Sequence, residues 1–303
     1  MNILMCYNRS EYNTVQFYEY ALRRNKEHKV IVAGVNGHDI STENSVVLSD
    51  VIKAIGIKPD LIFVMEGATN LLIYGIENSP IPTAFYGIDS HVRREYIFNE
   101  AKRYNHVFLA QKKGVADFIN ETGHSNVHWM PLAAEPLFHL PLELDITHDI
   151  AFVGGIDLKD VHLKRRECLK TMIDNGLSVF VGKAIGIWLG WAYSKAKIIY
   201  NCSVNDDLNQ RCFEAMACKR LLLTDKISAE SGIDDLFKDG EDYVSYKDEK
   251  DCLDKAKYYL SHEPERLKIA ESGYKKVIEK HTYDIRMKEM LCKIGKLTES
   301  AKK

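Results

Sequence analysis

The sequence predicts an α/β fold built on two parallel sheets, and three observations predict it. Short β-type runs alternate with segments of helical period from the first residue to well past the middle, the signature of strands joined by crossover helices. The chain has 303 residues, more than one unit of about 150 residues needs. Three of its seven prolines, Pro131, Pro136 and Pro141, fall within eleven residues, where they block helix continuation and ladder pairing and so divide the alternation in two.

In the first half the expected strands are Asn2 to Tyr7, Lys29 to Val35, Asp60 to Glu66, Thr83 to Asp89, His106 to Gln111 and Val127 to Leu132. In the second half they are Asp149 to Gly154, Ser178 to Gly182, Lys197 to Cys202, Arg220 to Asp225 and Tyr243 to Tyr246. After Tyr246 the chain turns helical, over Asp248 to Ser261, Glu263 to Lys280 and Tyr283 to about Leu297, with charged faces throughout. Two Rossmann-like domains facing a cleft are expected, with ligands at the carboxyl ends of the strands.

Composition narrows the function. Apolar residues make up 46% and charged residues 28%, which excludes a disordered chain, and a net charge of −2 gives no electrostatic case for nucleic acid as a partner. The strongly apolar stretches, such as Leu61 to Met65 and Ala184 to Tyr193, fall far short of a bilayer span, so no transmembrane segment is expected. The run Ile3 to Tyr7 has no basic residue before it, which is wrong for a secretory signal, and a cytoplasmic location is expected. The seven cysteines form no CxxC pair and read as reduced, structural thiols. There is no HxxxH, HExxH or DxD spacing, so no protein-held metal is expected. No GxGxxG follows the first strand, which argues against an oxidoreductase.

The most informative stretch runs from Asn201 to Asp225 as strand, polar loop, helix and strand. Asp207 followed by Gln210 fits a helix start with a capping box, whose free N–H groups would favour an anion in the loop. Phe213, Met216 and Ala217 share one helix face, and Arg211 and Glu214 share another. The last two read either as a surface ion pair or as ligand-binding groups.

The motifs from Asn209 to Ala217, Leu221 to Asp225, Leu236 to Tyr246, Tyr258 to His262 and His281 to Met287 closely resemble the donor domain of GT-B glycosyltransferases. The nearest group is the spore-maturation-protein type within the large retaining class. Asp149 to Gly155 matches the start of that domain, and Tyr86 to His91 matches the first domain more weakly. The resemblance implies an N-terminal acceptor domain over 1–135, a nucleotide-sugar domain over 136–282 and a C-terminal helix over 283–303 that packs back on the first domain. It implies an enzyme moving a sugar from a nucleotide-diphosphate sugar, with a UDP-sugar as the expected donor and no separate cofactor. The acceptor, whether glycan, protein or small molecule, and the oligomeric state stay open. Retention of anomeric configuration is implied, by attack on the face from which the diphosphate leaves. The alternatives are a nucleotide-binding or assembly protein without transfer, and an epimerase or phosphorylase on the same fold.

In that class two acidic residues separated by seven others contact the donor. Glu214 matches the one that holds the ribose, and Asp206 the one that faces the sugar, with Asp where many members have Glu. Either the loop then lies closer to the sugar, or Asp207 and the backbone share the task. Asn205 and Asn209 complete the expected donor loop. A diphosphate leaving group gathers charge as the glycosidic bond breaks, so fixed donors and cations are needed beside it. Arg211 is one candidate. Gly154 and Gly155 allow close backbone approach, and Arg165 lies on the following helix, at the edge of a stripe of Cys168, Leu169, Met172 and Ile173. Arg165 is preferred to Arg166. Trp188 and Trp191 read as core or as a stacking surface for a base. In the first domain Asn8, Glu66, Asp89 and His91 are acceptor-side candidates at strand ends. Asp89 and His91, with Asp206 and Arg165, form the expected catalytic set, Asp89 or His91 deprotonating the acceptor unless they are a turn aspartate and an exposed histidine.

Overall fold

The computed structural model describes residues 1–10, 14–36, 39–66 and 70–300, and the side chains of these except 296–300. The chain forms two compact units, Met1–Pro131 with Tyr283–Lys303, and Leu132–Thr282.

In the first unit the elements run β1 (Asn2–Cys6), α1 (Val15–Arg24), β2 (Lys29–Gly34), β3 (Ile40–Ser41), β4 (Ser45–Val47), α2 (Leu48–Ile55), β5 (Leu61–Met65) and β6 (Leu72–Tyr74). They continue as β7 (Thr83–Gly87), α3 (Arg94–Ala101), β8 (His106–Leu109), α4 (Lys112–Thr122) and β9 (Val127–Trp129). Seven strands form a parallel sheet in the order β3-β2-β1-β5-β7-β8-β9, and β4 pairs with β6 apart from it. The central strands β1 and β5 are near-continuous runs of Ile, Leu, Val, Phe and Met, and β7, Thr-Ala-Phe-Tyr-Gly, is buried at every residue, as a helix-covered parallel sheet requires.

The second unit runs β10 (His148–Val153), α5 (Leu163–Asp174), β11 (Val179–Gly182), α6 (Ile187–Ser194), β12 (Ala196–Tyr200), α7 (Gln210–Ala217), β13 (Leu221–Asp225), α8 (Ile233–Leu236), β14 (Val244–Tyr246), α9 (Glu249–Ser261) and α10 (Glu263–Lys280). Its sheet is parallel throughout, in the order β11-β10-β12-β13-β14. The side chain of Asp248 caps α9 by accepting from the Asp251 N–H at 2.9 Å.

Helix α11 (Tyr283–Ser300) completes the first unit. Arg24 of α1 donates to both carboxylate oxygens of Asp284 at 2.9 and 2.7 Å, and Tyr283 packs against Phe17 and Tyr18 with ring centroids 5.5 and 4.5 Å apart. The buried Arg286 donates through Nε to the Pro131 carbonyl at 3.0 Å.

The proline-rich segment that divides the alternation belongs from Leu132 to the second unit, where Ala133, Ala134, Glu135 and His139 are buried. Two expectations need correction. Ile173 does not continue the buried stripe of α5; it is 51% exposed, while Arg165 is only 5% exposed and takes a place in the interior. Trp188 and Trp191 are not core, at 64% and 38% exposed on α6. All seven cysteines are free, six of them buried.

Candidate functional site

In the second unit the polar groups gather where β10, β12 and β13 end. Asn201, buried just past β12, is the hub. Its Nδ2 donates to Thr224 Oγ1 at 2.9 Å, and its Oδ1 accepts from Arg211 Nη1 at 2.6 Å and from Asn209 Nδ2 at 3.3 Å. One short amide thereby sets the separation of β12, β13 and the start of α7. Sequence reasoning quoted Asn201 without assigning it a task; a polar residue directly after an apolar strand was the available signal.

Arg211 reaches from the first turn of α7 back to β10. Its Nε donates to the Val153 carbonyl at 2.9 Å, and its guanidinium lies 4.5 Å from the Phe152 ring centre. Gly154 makes this approach feasible, because a Cβ there would fall 2.3 Å from Arg211 Nη2. Arg165 crosses from α5 to the same ring, at 5.1 Å, and donates to the carbonyls of Gly155 at 2.5 Å and Cys202 at 2.8 Å. Its Nε is buried without a partner. Burial, and then the charge of Arg211, pull the Arg165 pKa below its ordinary value. Among the described residues neither guanidinium has a carboxylate partner, so two positive charges share one aromatic ring unneutralised. Arg166, by contrast, turns outward and donates to the Lys159 carbonyl at 3.0 Å.

Glu214 lies one turn beyond Arg211, and the structure removes its reading as half of a surface ion pair. The residue is only 9% exposed, and Arg211 spends its hydrogen bonds on Val153 and Asn201. Burial raises the carboxyl to about 7, opposed by the charge of Arg211. His139 Nε2 lies 3.6 Å from Glu214 Oε1. His139 was missed by sequence reasoning, which saw only a histidine among prolines.

The donor loop departs from expectation at its helix start. α7 begins at Gln210, and its N-cap is the extended Asn209, whose own side chain makes no capping bond. The reason is upstream. Asn205 and Asp206 both take left-handed conformations, with φ of 52° and 63°, and the buried Leu208 then anchors the chain before the helix can begin. Asp206 holds this turn: its Oδ1 accepts from the Ser228 N–H at 2.7 Å and its Oδ2 from the Ser228 hydroxyl. Each oxygen expected to face a sugar thus accepts one bond from Ser228 and keeps a further lone pair. Asp207 is half-buried, and its carbonyl accepts from Asn209 N–H at 3.0 Å. Gly155 packs against the His162 ring, which a Cβ would meet at 3.2 Å.

The first unit collects Asn8, Glu66 and Asp89 at its own strand ends. Asn8 is buried and saturated: Nδ2 donates to Asn44 Oδ1 and the Asn70 carbonyl, both at 2.9 Å, while Oδ1 accepts from Val35 N–H at 3.0 Å. Glu66, directly after β5, is buried and ion-paired with Arg93. Its carboxyl is raised to about 7, by burial first, with Arg93 opposing and Asp89 adding to the rise. Asp89 is exposed with φ 62°, and its carbonyl accepts from Val92 and Arg93 N–H, both at 2.9 Å. His91 is half-buried, and its Nδ1 is buried without a hydrogen-bond partner. Glu66, Asp89 and Arg93 thus form one electrostatic group, in which Asp89 is both a turn residue and a free carboxylate neighbour.

Among the described residues no group of three or more His, Cys, Asp or Glu side chains could hold a metal ion, and no helix is long and apolar enough to cross a membrane.

Residues 180–292 match the family model described as glycosyl transferase-like. No curated protein matches the chain in sequence. The fold as a whole is shared with solved structures at low identity. A glycosyltransferase from Rickettsia africae superposes with a TM-score of 0.69 at 12% identity, covering 98% of both chains. A sucrose-phosphate synthase from Thermosynechococcus elongatus gives 0.70 at 12% identity, covering 99% of this chain and 100% of its own. HepE of Anabaena, solved with UDP-glucose, gives 0.71 at 10% identity with the same coverage. Residues 180–292 are thus glycosyl transferase-like, and the fold is one that solved glycosyltransferases share.

Proposed function

We propose that the chain transfers a sugar from a UDP-sugar to an acceptor hydroxyl, with the donor held at the strand ends of Leu132–Thr282. The observation that carries this reading is the pair Arg211 and Glu214 on α7: an unneutralised guanidinium lying over a glycine turn, and a buried carboxylate one turn further on. A diphosphate needs the first and the adjacent hydroxyls of a ribose need the second. HepE, of the same fold, was solved with UDP-glucose, which supports uridine as the base.

In this reading Glu214 accepts from the ribose hydroxyls, and Arg211 with the N–H groups at the start of α7 stabilises charge building on the departing diphosphate. Arg165 fixes the Gly155 and Cys202 carbonyls and adds its field to that of Arg211. Asp206 shapes the donor loop through Ser228, so the sugar is met by Asp207, Asn205 and the loop backbone. The first unit takes the acceptor near Asn8, Glu66, Asp89 and His91. The retaining outcome and the kinship with the spore-maturation-protein type are proposed on the ordered motifs of residues 149–290. Retention needs no enzymic nucleophile when the leaving diphosphate takes the acceptor proton from the same face. Seven free cysteines go with a reducing, cytoplasmic setting.

A thermal-shift series with UDP, GDP, ADP and TDP tests the donor assignment, since a ligand of the native state raises the unfolding midpoint by mass action. UDP should raise it, and UDP-sugars should do the same. Stabilisation by another nucleotide and not by UDP overturns the base assignment, and no response to any of them overturns the site.

A further inference from the structure

We infer that His139 is a positioning residue for Glu214, holding a neutral imidazole N–H toward the carboxylate that takes the ribose; the inference rests on the donor-site reading above. The geometry begins in the turn Glu135-Pro136-Leu137-Phe138-His139. The Glu135 carbonyl accepts from the N–H groups of Phe138 at 3.0 Å and His139 at 2.8 Å, and the Glu135 carboxylate accepts from Leu137 N–H at 3.2 Å. In return the Glu135 N–H donates to His139 Nδ1 at 3.0 Å.

That last bond fixes the tautomer. A nitrogen that accepts carries a lone pair, so the single proton of a neutral ring must sit on Nε2. Nε2 is the atom 3.6 Å from Glu214 Oε1. The separation is too long for a hydrogen bond, and the interaction is that of an N–H dipole directed at a carboxylate where water is scarce. His139 is 1% exposed, and burial alone lowers its pKa to about 3, so the ring is a dipole rather than a cation at any physiological pH. A charged partner would neutralise Glu214 as a fixed ion pair, whereas a neutral donor orients it and leaves its charge for the ligand.

Among the described residues, the titratable groups facing Glu214 are Arg211 and Cys212 on the same helix, His139 from the turn, Tyr193 from α6 and Cys218 after α7. Burial raises both the Tyr193 hydroxyl and the Cys218 thiol, so both stay neutral through the range in which Glu214 titrates. Protonation of Glu214 near 7 is therefore the titration that UDP binding should report.

The experiment is UDP affinity against pH, by calorimetry, on the full chain and on His139→Phe, His139→Gln, His139→Asn and Glu214→Gln, with the unfolding midpoint measured on the same samples. In the parent, affinity should fall as the pH drops through about 7. His139→Phe keeps a ring without an N–H, so the fall should begin about one pH unit higher and affinity at pH 7 should drop about fivefold. His139→Gln, whose amide reaches the place of Nε2, should restore most of the profile. His139→Asn reaches only the place of Nδ1 and should behave like His139→Phe, so the Gln and Asn pair decides the matter if the Phe variant does not fold. A purely structural histidine predicts lower unfolding midpoints with the pH profile unmoved, and that result overturns the inference. Glu214→Gln separates the two levels: weak, pH-independent UDP binding upholds the donor site whatever His139 does, while parent-like binding overturns the donor site itself.

Discussion

Glu66 and Glu214 are the same residue type in different places, one directly after β5 and the other on α7, each buried in its own unit and each raised to about 7 by burial. Their partners differ. Glu66 meets the guanidinium of Arg93 directly, which leaves the pair closed on itself. Glu214 faces a neutral imidazole at 3.6 Å and an arginine whose hydrogen bonds go to Val153 and Asn201. A shifted pKa therefore marks burial in both units, and only the unsatisfied charge balance around the second marks room for a ligand. The first pair holds the strand-end loops of β5 and β7 together; the second leaves one hydrogen-bond-accepting carboxylate and one hydrogen-bond-donating guanidinium side by side.

The largest effect that would sharpen this contrast is expected at Arg211. Arg211→Met keeps the length of the side chain and its contact with Phe152 but removes the charge. UDP affinity should fall on the order of a hundredfold, as for the loss of one partner of a desolvated charge pair, while uridine, which lacks the diphosphate, should lose much less. Equal losses for UDP and uridine would mean that Arg211 acts only through the shape of the Asn201 network.

A crossed pair comes next. Glu214→Gln should weaken UDP about tenfold or more, the charge-assisted bonds to ribose being worth roughly 1.5 to 3 kcal/mol each. Glu66→Gln should leave UDP affinity unchanged and lower the unfolding midpoint by opening the Arg93 clamp. If both variants lose UDP affinity, or neither does, the contrast between the two carboxylates is wrong.

A smaller effect separates two glycines. A Cβ at Gly34, at the end of β2, would fall 1.8 Å from the Tyr7 carbonyl oxygen, which is backbone and cannot yield. A Cβ at Gly154 would meet Arg211 Nη2 at 2.3 Å, the far end of a flexible side chain. Gly34→Ala should therefore destabilise the protein without touching nucleotide binding to the surviving fold. Gly154→Ala, strained at φ 154° but meeting only side chains, should lose less stability than Gly34→Ala and weaken UDP several-fold by displacing the guanidinium. Parent-like UDP affinity in Gly154→Ala would show that the position of Arg211 over the turn is not needed.

The architecture was legible because parallel strands buried on both faces write themselves as apolar runs. All eleven strands expected from such runs are present, most trimmed by a residue or two, and Glu263–Lys280 was read to the residue. The strands not foreseen, β3, β4 and β6, have two or three residues each, too few to show a period. The site was legible only in part. Glu214 and Arg211 stand out by spacing, but the bonds that define them come from Val153, Asn201 and the turn at His139, far away in sequence. The helix starts later than expected, with its N-cap at Asn209, because two consecutive left-handed residues, Asn205 and Asp206, are not a pattern that spacing reveals. Nothing in the local sequence of Asp206 points to Ser228, twenty-two residues on, which donates to both its oxygens.

The smallest effect concerns what the two carboxylates have in common, the pH dependence of stability. Each has an ordinary value of 4.5 and is raised to about 7 in the fold, so the folded state binds its proton more tightly than the unfolded chain does. Stability from such a group is complete below 4.5 and is lost as the pH rises through 7. His139 runs the other way: lowered from 6.5 to about 3, it contributes stability that is complete above 6.5 and lost as the pH falls through 3. Between 4.5 and 6.5 the opposing contributions partly cancel, so the parent's profile alone does not isolate the acids. Differences between variants do. From pH 5.5 to 7.5 the unfolding midpoint of Glu214→Gln should gain on that of the parent, and so should that of Glu66→Gln, each by about 2 °C or more if 1 kcal/mol or more of this linkage is removed. The two slopes should match in sign because both arise from burial, even though only one of the residues is expected to bind a nucleotide. A gap that stays constant with pH for either variant would mean that its carboxyl is not held above its ordinary range, and the comparison would then rest on hydrogen bonding alone.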